Sequence, residues 1–317
     1  MALQPESGLD WNTLFNQQFC REPVSDEEQE AYWDRRAATF VCGAPSKPGM
    51  PGNAQAGGPG NSGGQPGGPG AGGSSYIRGF LERAGIRPGE TVIDMGCGPG
   101  SLAIPIARGG NRVTACDLSG KMLERLVETA RETGVDGLID ARKISWLADW
   151  DDLPVADVFI ASRSLCCNDL LSTIEKVERH TRRCCCMTLS TIDSPMHDRT
   201  MLAAIGRPDV VVNEAVYLVN LLYSMGRLPE VSYLSHVRPS FGDTPEALYE
   251  EFAREDGPFT AEEDALLRRF IEENFEFEGA AGGAADRAAG GMGVPKRKYD
   301  RMVRWAFIKW DVPGATR

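Results

Sequence analysis

The stretch Val92–Ala107, VIDMGCGPGSLAIPIA, constrains the fold more than any other. A β-branched apolar run passes through alternating glycines into an amphipathic run, which is the order of a buried strand turning sharply into a helix. Gly96, Gly98 and Gly100 free the backbone for a tight turn and let a ligand approach it closely. In open α/β sheets such a turn is where ligands bind, beyond the carboxyl ends of the strands. The ligand is not obviously a diphosphate. A dinucleotide fingerprint, G-x-G-x-x-G, needs its third glycine where Ser101 stands, and the G-K-[ST] ending of a P-loop is missing.

The chain around this turn alternates. Helix Tyr76–Ala84 precedes strand Thr91–Asp94, and a helix near Ser101–Arg108 follows with Pro105 as a mild violation. Then come strand Arg112–Cys116, helix Gly120–Thr133, a short strand near Ala141–Ser145, strand Val158–Ala161, helix Asp169–His180 and strand Cys184–Ser190. This alternation predicts a parallel sheet covered on both faces. Beyond Thr191 the pattern changes to helix Asn213–Gly226, strand Val231–Val237, helices Pro245–Arg254 and Ala261–Asn274, and strand Val303–Trp310. The two late strands can close one edge of the sheet. Residues 1–42 read as an N-terminal helical cap, with Tyr32, Trp33, Ala37 and Phe40 at near-helical spacing. Residues 43–75 are Gly/Pro-rich and read as a flexible tether, and 279–293 as a Gly/Ala-rich loop.

Composition narrows the partners. The net charge of -11 argues against a surface built to neutralise nucleic-acid phosphates. No apolar run reaches the roughly 20 residues of a membrane span, and Met1–Asp10 lacks the pattern of a signal peptide. These features predict a cytoplasmic protein with no membrane partner; oligomeric state is unknown at this level. Nine cysteines are many for that compartment, but none pair as C-x-x-C. Adjacent cysteines in a strand point to opposite faces, so the run Cys184–Cys186 cannot converge on one metal. No metal is expected, and the cysteines read as small apolar residues.

Two acids complete the pattern at the glycine turn. Asp94 stands two residues before Gly96, and Asp117 ends the next strand, where a carboxylate can accept both hydroxyls of a ribose. Together, VIDMGCGPGS and VTACDLSGKMLERL resemble motifs I and II of the class I S-adenosylmethionine-dependent methyltransferases. The resemblance covers Tyr76–Ser190 well and the remainder in outline. It implies a Rossmann-like, seven-stranded, mostly parallel sheet with helices on both faces plus the N-terminal cap. The methyltransferase domain would run over 76–317, with a helical lid insertion at 193–227. It also implies S-adenosyl-L-methionine as cofactor. Gly96, Cys97, Gly98 and Gly100 would line its methionine part and Asp94 its amino end. Asp117 would hold the ribose, Leu118, Met122, Ser145 and Trp146 would flank the adenine, and Ser162 and Arg163 would face the methyl group.

The acceptor is less constrained, because fold and cofactor do not fix it. The place that reads [DN]-P-P-[YF] in amino-group methyltransferases reads SRSL here, so a small-molecule acceptor is expected and nucleic acid is not. His197, Asp193 and Arg163 are the candidates for acceptor contact or general base, and Trp33 and Arg36 could close over the cofactor. Two other readings stand beside this one. Cys166 and Cys167, after the fourth strand, would suit metalloid or thiol methylation, and a tethered cap would suit a cofactor-binding interaction module without catalysis.

Overall fold

The computed structural model describes residues 9–20, 25–37, 75–193, 197–208, 213–237, 244–277 and 296–314. The expected tether over 43–75, apart from Ser75, the expected loop over 279–293, and Phe40 lie outside the described residues. The described residues form two compact units. The first comprises Met1–Ser190, Asn213–Leu234 and Trp305–Arg317, and the second Thr191–Val212 and Ser235–Arg304.

The first unit is built on a seven-stranded sheet. Its strands are β1 (Val92–Met95), β2 (Val113–Asp117), β3 (Ile139–Lys143), β4 (Ala156–Ser162), β5 (Thr181–Ser190), β6 (Glu230–Val237) and, last in the chain, β9 (Met302–Asp311), in the order β3-β2-β1-β4-β5-β9-β6. The first five pair in parallel, with Asp94 of β1 opposite Ala115 of β2 and Ile160 of β4. β9 runs antiparallel to β5, with Ser190 opposite Trp305. The late strands thus close one edge, as their place in the sequence implies.

Alternation along each strand divides the apolar residues between two cores. Val92, Val158, Ile160, Cys184, Cys186 and Phe307 pack with helices α3 (Ser75–Ala84), α4 (Ala103–Arg108) and α5 (Gly120–Glu132). Ile93, Met95, Phe159, Cys185, Met187 and Ile308 pack with α1 (Trp11–Phe19), α6 (Leu170–Arg179) and α8 (Glu214–Ser224). The run Cys184–Cys186 therefore serves both faces as buried apolar packing, and strands covered on both sides need apolar residues at every position. Pro105 is tolerated because it falls in the first turn of α4, where its missing N–H has no partner to lose. Ser119 and Asp169 cap α5 and α6 by accepting the N–H of Met122 and Ser172.

Some boundaries differ from the sequence reading. The third strand runs Ile139–Lys143, ahead of the expected Ala141–Ser145, since an edge strand with half-exposed polar residues carries little apolar signal. β5 begins at Thr181, where Arg182 and Arg183 mask its start. The cap region contains α1 and a separate α2 (Asp26–Ala37).

The second unit has its own core. Helices α7 (Arg199–Ala204), α9 (Pro245–Asp256) and α10 (Ala261–Asn274) bury Leu202, Leu248, Phe252, Leu267 and Phe270 together. The short strands β7 (Phe275–Glu276) and β8 (Lys296–Arg297) form an antiparallel pair beside them. No helix among the described residues is long and apolar enough to cross a membrane.

Candidate active site

The direction of strand addition reverses between β1 and β4, and a cleft opens there at the carboxyl ends of the strands. Its space, open to solvent, amounts to about 420 Å³ and is lined by Tyr76, Asp94, the Gly96–Pro99 loop, Ser162 and Arg163 among others.

The three glycines of the loop all adopt positive φ, at +72, +53 and +93 degrees for Gly96, Gly98 and Gly100. Their surroundings differ. A Cβ on Gly96 would stand 2.3 Å from Ser164 Cβ, and one on Gly100 would stand 2.4 Å from Leu126 Cδ1. A Cβ on Gly98 would meet nothing within 4 Å. Gly96 and Gly100 are therefore required by packing, while a Cβ on Gly98, a residue that lines the cleft, would meet open space. The loop is pinned from below, where Cys116 carbonyl accepts the N–H of Gly96 at 2.8 Å and of Cys97 at 2.9 Å.

Two carboxylates bracket the loop. Asp94 is 2% exposed, and its Oδ2 is buried without a hydrogen-bond partner. Burial, reinforced by the charge of Asp117, pushes its pKa up to about 7, against a single backbone N–H from Ala103 that favours the anion. An orphaned carboxylate oxygen in a cleft is the complement of a cationic group. Asp117 is raised too, chiefly by burial, with the N–H groups of Ser119 and Gly98 opposing. Those N–H groups meet its two oxygens at 2.9 and 2.8 Å, so the carboxylate is held rigidly while lone pairs remain for further donors. Burial also drives the Cys97 thiol well above its ordinary pKa, making it a neutral lining group.

The opposite wall comes from α3 and the ends of β4 and β5, and its main residue escaped the sequence reading. Tyr76 OH bonds Ser162 Oγ at 2.8 Å and Thr188 Oγ1 at 2.7 Å. Its only sequence signal was an aromatic residue opening a helix, which looks like ordinary packing. Over its ring, at 4.3 Å, lies the guanidinium of Arg163.

The expected adenine-side residues cluster around a second, wider opening. Leu118, Ile144 and Ser145 line it together with Asp26 and Glu30 of α2. Three acids of α2, spaced four apart along one face, tie the helix to this rim. Asp26 accepts from Ser145 Oγ at 2.7 Å, Glu30 pairs with Lys143 at 2.6 Å, and Asp34 accepts from Ser119 Oγ at 2.5 Å. Met122 and Trp146 are buried behind it, Trp146 packing its ring against Trp150 and Phe159. Trp33 and Arg36 lie on α2, with the Arg36 guanidinium over the rings of Tyr32 and Trp33 at 5.6 and 5.7 Å.

The remaining candidates fall in both units. His197 Nδ1 and Asp256 Oδ1 are 2.5 Å apart within the second unit, and Asp193 pairs there with Arg304 at 3.0 Å. Cys166 and Cys167 are in the first unit, where burial raises both thiols, the opposite of what a thiolate nucleophile needs.

Comparison with known proteins decides the family. A family model described as a methyltransferase domain matches residues 92–184, from the first residue of β1 into β5. An uncharacterised protein of Haemophilus influenzae is 32% identical over 200 residues, covering 63% of this chain and 74% of its own. The chain belongs to the class I S-adenosylmethionine-dependent methyltransferases. A trans-aconitate 2-methyltransferase of Mycolicibacterium gilvum is 34% identical over 88 residues, 27% of this chain and 31% of that one. Among solved structures, a methyltransferase-like protein of Bacillus halodurans aligns over 76% of this chain and all of its own, at 12% identity and a TM-score of 0.46. The cofactor of this methyltransferase family is S-adenosyl-L-methionine. The buried, unpartnered Asp94 oxygen and the open space above Gly98 fit the charged end of such a molecule.

Proposed function

We propose that the chain transfers the methyl group of S-adenosylmethionine to a small-molecule acceptor by in-line displacement. The observation that carries the reading is the Asp94 carboxylate, buried and one hydrogen bond short, at the base of a left-handed glycine loop. Asp94 takes the cofactor's ammonium group, and Gly96, Cys97, Gly98 and Gly100 line its amino-acid end. Asp117, held by two backbone N–H groups, accepts from the ribose hydroxyls. Leu118 and Ser145 flank the adenine, with Met122 and Trp146 supporting that wall from behind. Ser162, fixed by Tyr76, stands at the end of β4 on the methyl side.

When bound, the sulfonium supplies a methyl group activated for attack, so an acceptor–carbon bond forms as the carbon–sulfur bond breaks. The chain's own work is alignment and exclusion of water. The net charge of -11 argues against a surface built to neutralise a phosphate backbone, which favours a small acceptor over nucleic acid.

Calorimetric titration with S-adenosylhomocysteine tests the reading. The wild type should bind, and Asp117→Ala should bind at least tenfold more weakly. No wild-type binding at millimolar ligand would sink the proposal. With methyl-labelled cofactor in a cell extract, label should enter the low-mass fraction; label confined to nucleic acid overturns the acceptor class. No transfer at all would leave a binding module in place of an enzyme.

A further inference from the structure

Arg163 stands apart from the other cations of the first unit. Among the described residues it is the one non-glycine residue with positive φ, at +58 degrees, a conformation that costs a side-chain-bearing residue about 1–2 kcal/mol. Its backbone N–H is fixed by Thr188, to the carbonyl at 3.2 Å and to Oγ1 at 3.1 Å. Its guanidinium lies 4.3 Å from the centre of the Tyr76 ring and 5.8 Å from that of Trp305, and lines the cleft. Among the described residues no carboxylate pairs with it, whereas Arg183 and Arg227 of the same unit each carry a glutamate. Beside it the Trp305 indole N–H is buried without a hydrogen-bond partner. A solvated surface arginine needs none of this. Strained backbone held in place by its surroundings is a mark of function, and stacked guanidinium groups keep their in-plane donors for a planar anion.

Arg163 lines the same cleft as Asp94 but leans away from the β2 side. Asp117 ends β2, Asp94 lies in β1, and Arg163 follows β4 and leans on Thr188 of β5 and Trp305 of β9. β4, which Arg163 follows, neighbours β1 at one strand spacing of roughly 5 Å, while the guanidinium reaches toward Trp305 of β9. The cofactor's sites, as proposed above, occupy the β2–β1 side. The guanidinium leans toward the β5–β9 side of that cleft, which those sites leave free for the acceptor.

We infer that Arg163 is a specificity-determining residue that anchors a carboxylate of the acceptor, so the substrate is a small organic acid. A single guanidinium matches one carboxylate in charge and in bidentate geometry. A carboxylate so paired is a poor nucleophile, so the atom methylated lies on another group of the same molecule. The inference rests on the methyltransferase reading above.

The test uses the full chain with S-adenosylhomocysteine and, as acid probes, acetate, malonate and inorganic phosphate. S-Adenosylhomocysteine affinity is measured first in wild type, Arg163→Gln and Arg163→Lys, with circular dichroism confirming that each is folded. The expected result is affinity within twofold across the three proteins. Saturable binding of malonate to loaded wild type follows, at least tenfold weaker in R163Q and also weakened in R163K. If wild type binds no S-adenosylhomocysteine, the cofactor reading falls. If it does and binds neither carboxylate, or if R163Q binds malonate equally well, this proposal alone falls. A tenfold loss of S-adenosylhomocysteine affinity in R163Q overturns it by assigning the guanidinium to the cofactor, and phosphate binding more tightly than malonate overturns the carboxylate.

Discussion

At the scale of single residues, Asp94 makes the sharpest statement because its two protonation states do opposite things. The ordinary aspartate value is 3.8, and burial brings it to about 7 in the fold. Between those values the folded chain holds a proton that the unfolded chain has released. Raising the pH through that window therefore lowers the stability of the unliganded protein. Cofactor binding has the opposite sign, since an ammonium group needs the ionised carboxylate. Affinity for S-adenosylhomocysteine should rise about tenfold between pH 6 and pH 8. Asp94→Asn should bind weakly and lose that dependence. Calorimetry at four pH values checks both, and a flat wild-type profile removes Asp94 from the ammonium site. The position of Asp94 was legible in the sequence, two residues ahead of Gly96. Its missing partner was not, because what surrounds a buried oxygen is decided by chain segments far away in sequence.

At the scale of the element, the glycine loop does two jobs that one motif string does not distinguish. All three glycines need their left-handed backbone, but Gly100 faces Leu126 and Ile104 while Gly98 faces open space. Gly100→Ala should lose roughly 2–4 kcal/mol of stability, from backbone strain plus overpacking. Gly98→Ala should lose only about 1–2 kcal/mol, the backbone cost alone. Binding reverses the order, with S-adenosylhomocysteine affinity falling at least tenfold in the Gly98 variant, since Gly98 lines the cleft. Denaturant melts with parallel titrations separate these effects, and equal binding loss in both variants would contradict the assignment. Strand, loop and helix were readable here because β-branched residues, glycines and an amphipathic run follow each other without interruption. The edge strand β3 was displaced by two residues, since its alternating Asp140, Arg142 and Lys143 carry no core signal. Tyr76 was invisible as a site residue, because its partners Ser162 and Thr188 lie 86 and 112 residues away.

At the scale of the whole molecule, the sequence places six tryptophans, and Trp11, Trp33, Trp146, Trp150, Trp305 and Trp310 all fall in the first unit. Division into two units was not legible, since the second is assembled from Thr191–Val212 and Ser235–Arg304, segments separated by residues of the first. Its core, from Met201 to Phe275, shares no residue with the two cores around the sheet. Tryptophan fluorescence consequently reports the unfolding of the unit that carries the glycine loop, whereas far-ultraviolet circular dichroism reports helices of both. A ligand that binds only the native state contributes about 2.7 kcal/mol at a hundred times its Kd. For a unit of this size that raises the midpoint by roughly 5–10 °C. S-Adenosylhomocysteine should therefore move the fluorescence midpoint by that amount in wild type and by about half of it or less in Asp117→Ala at the same ligand concentration. The dichroism signal should contain the same shifted component, and any component that stays behind belongs to helices α7, α9 and α10. A ligand shift seen in dichroism but absent from fluorescence would place the cofactor in the second unit and overturn its assignment to the β1 turn.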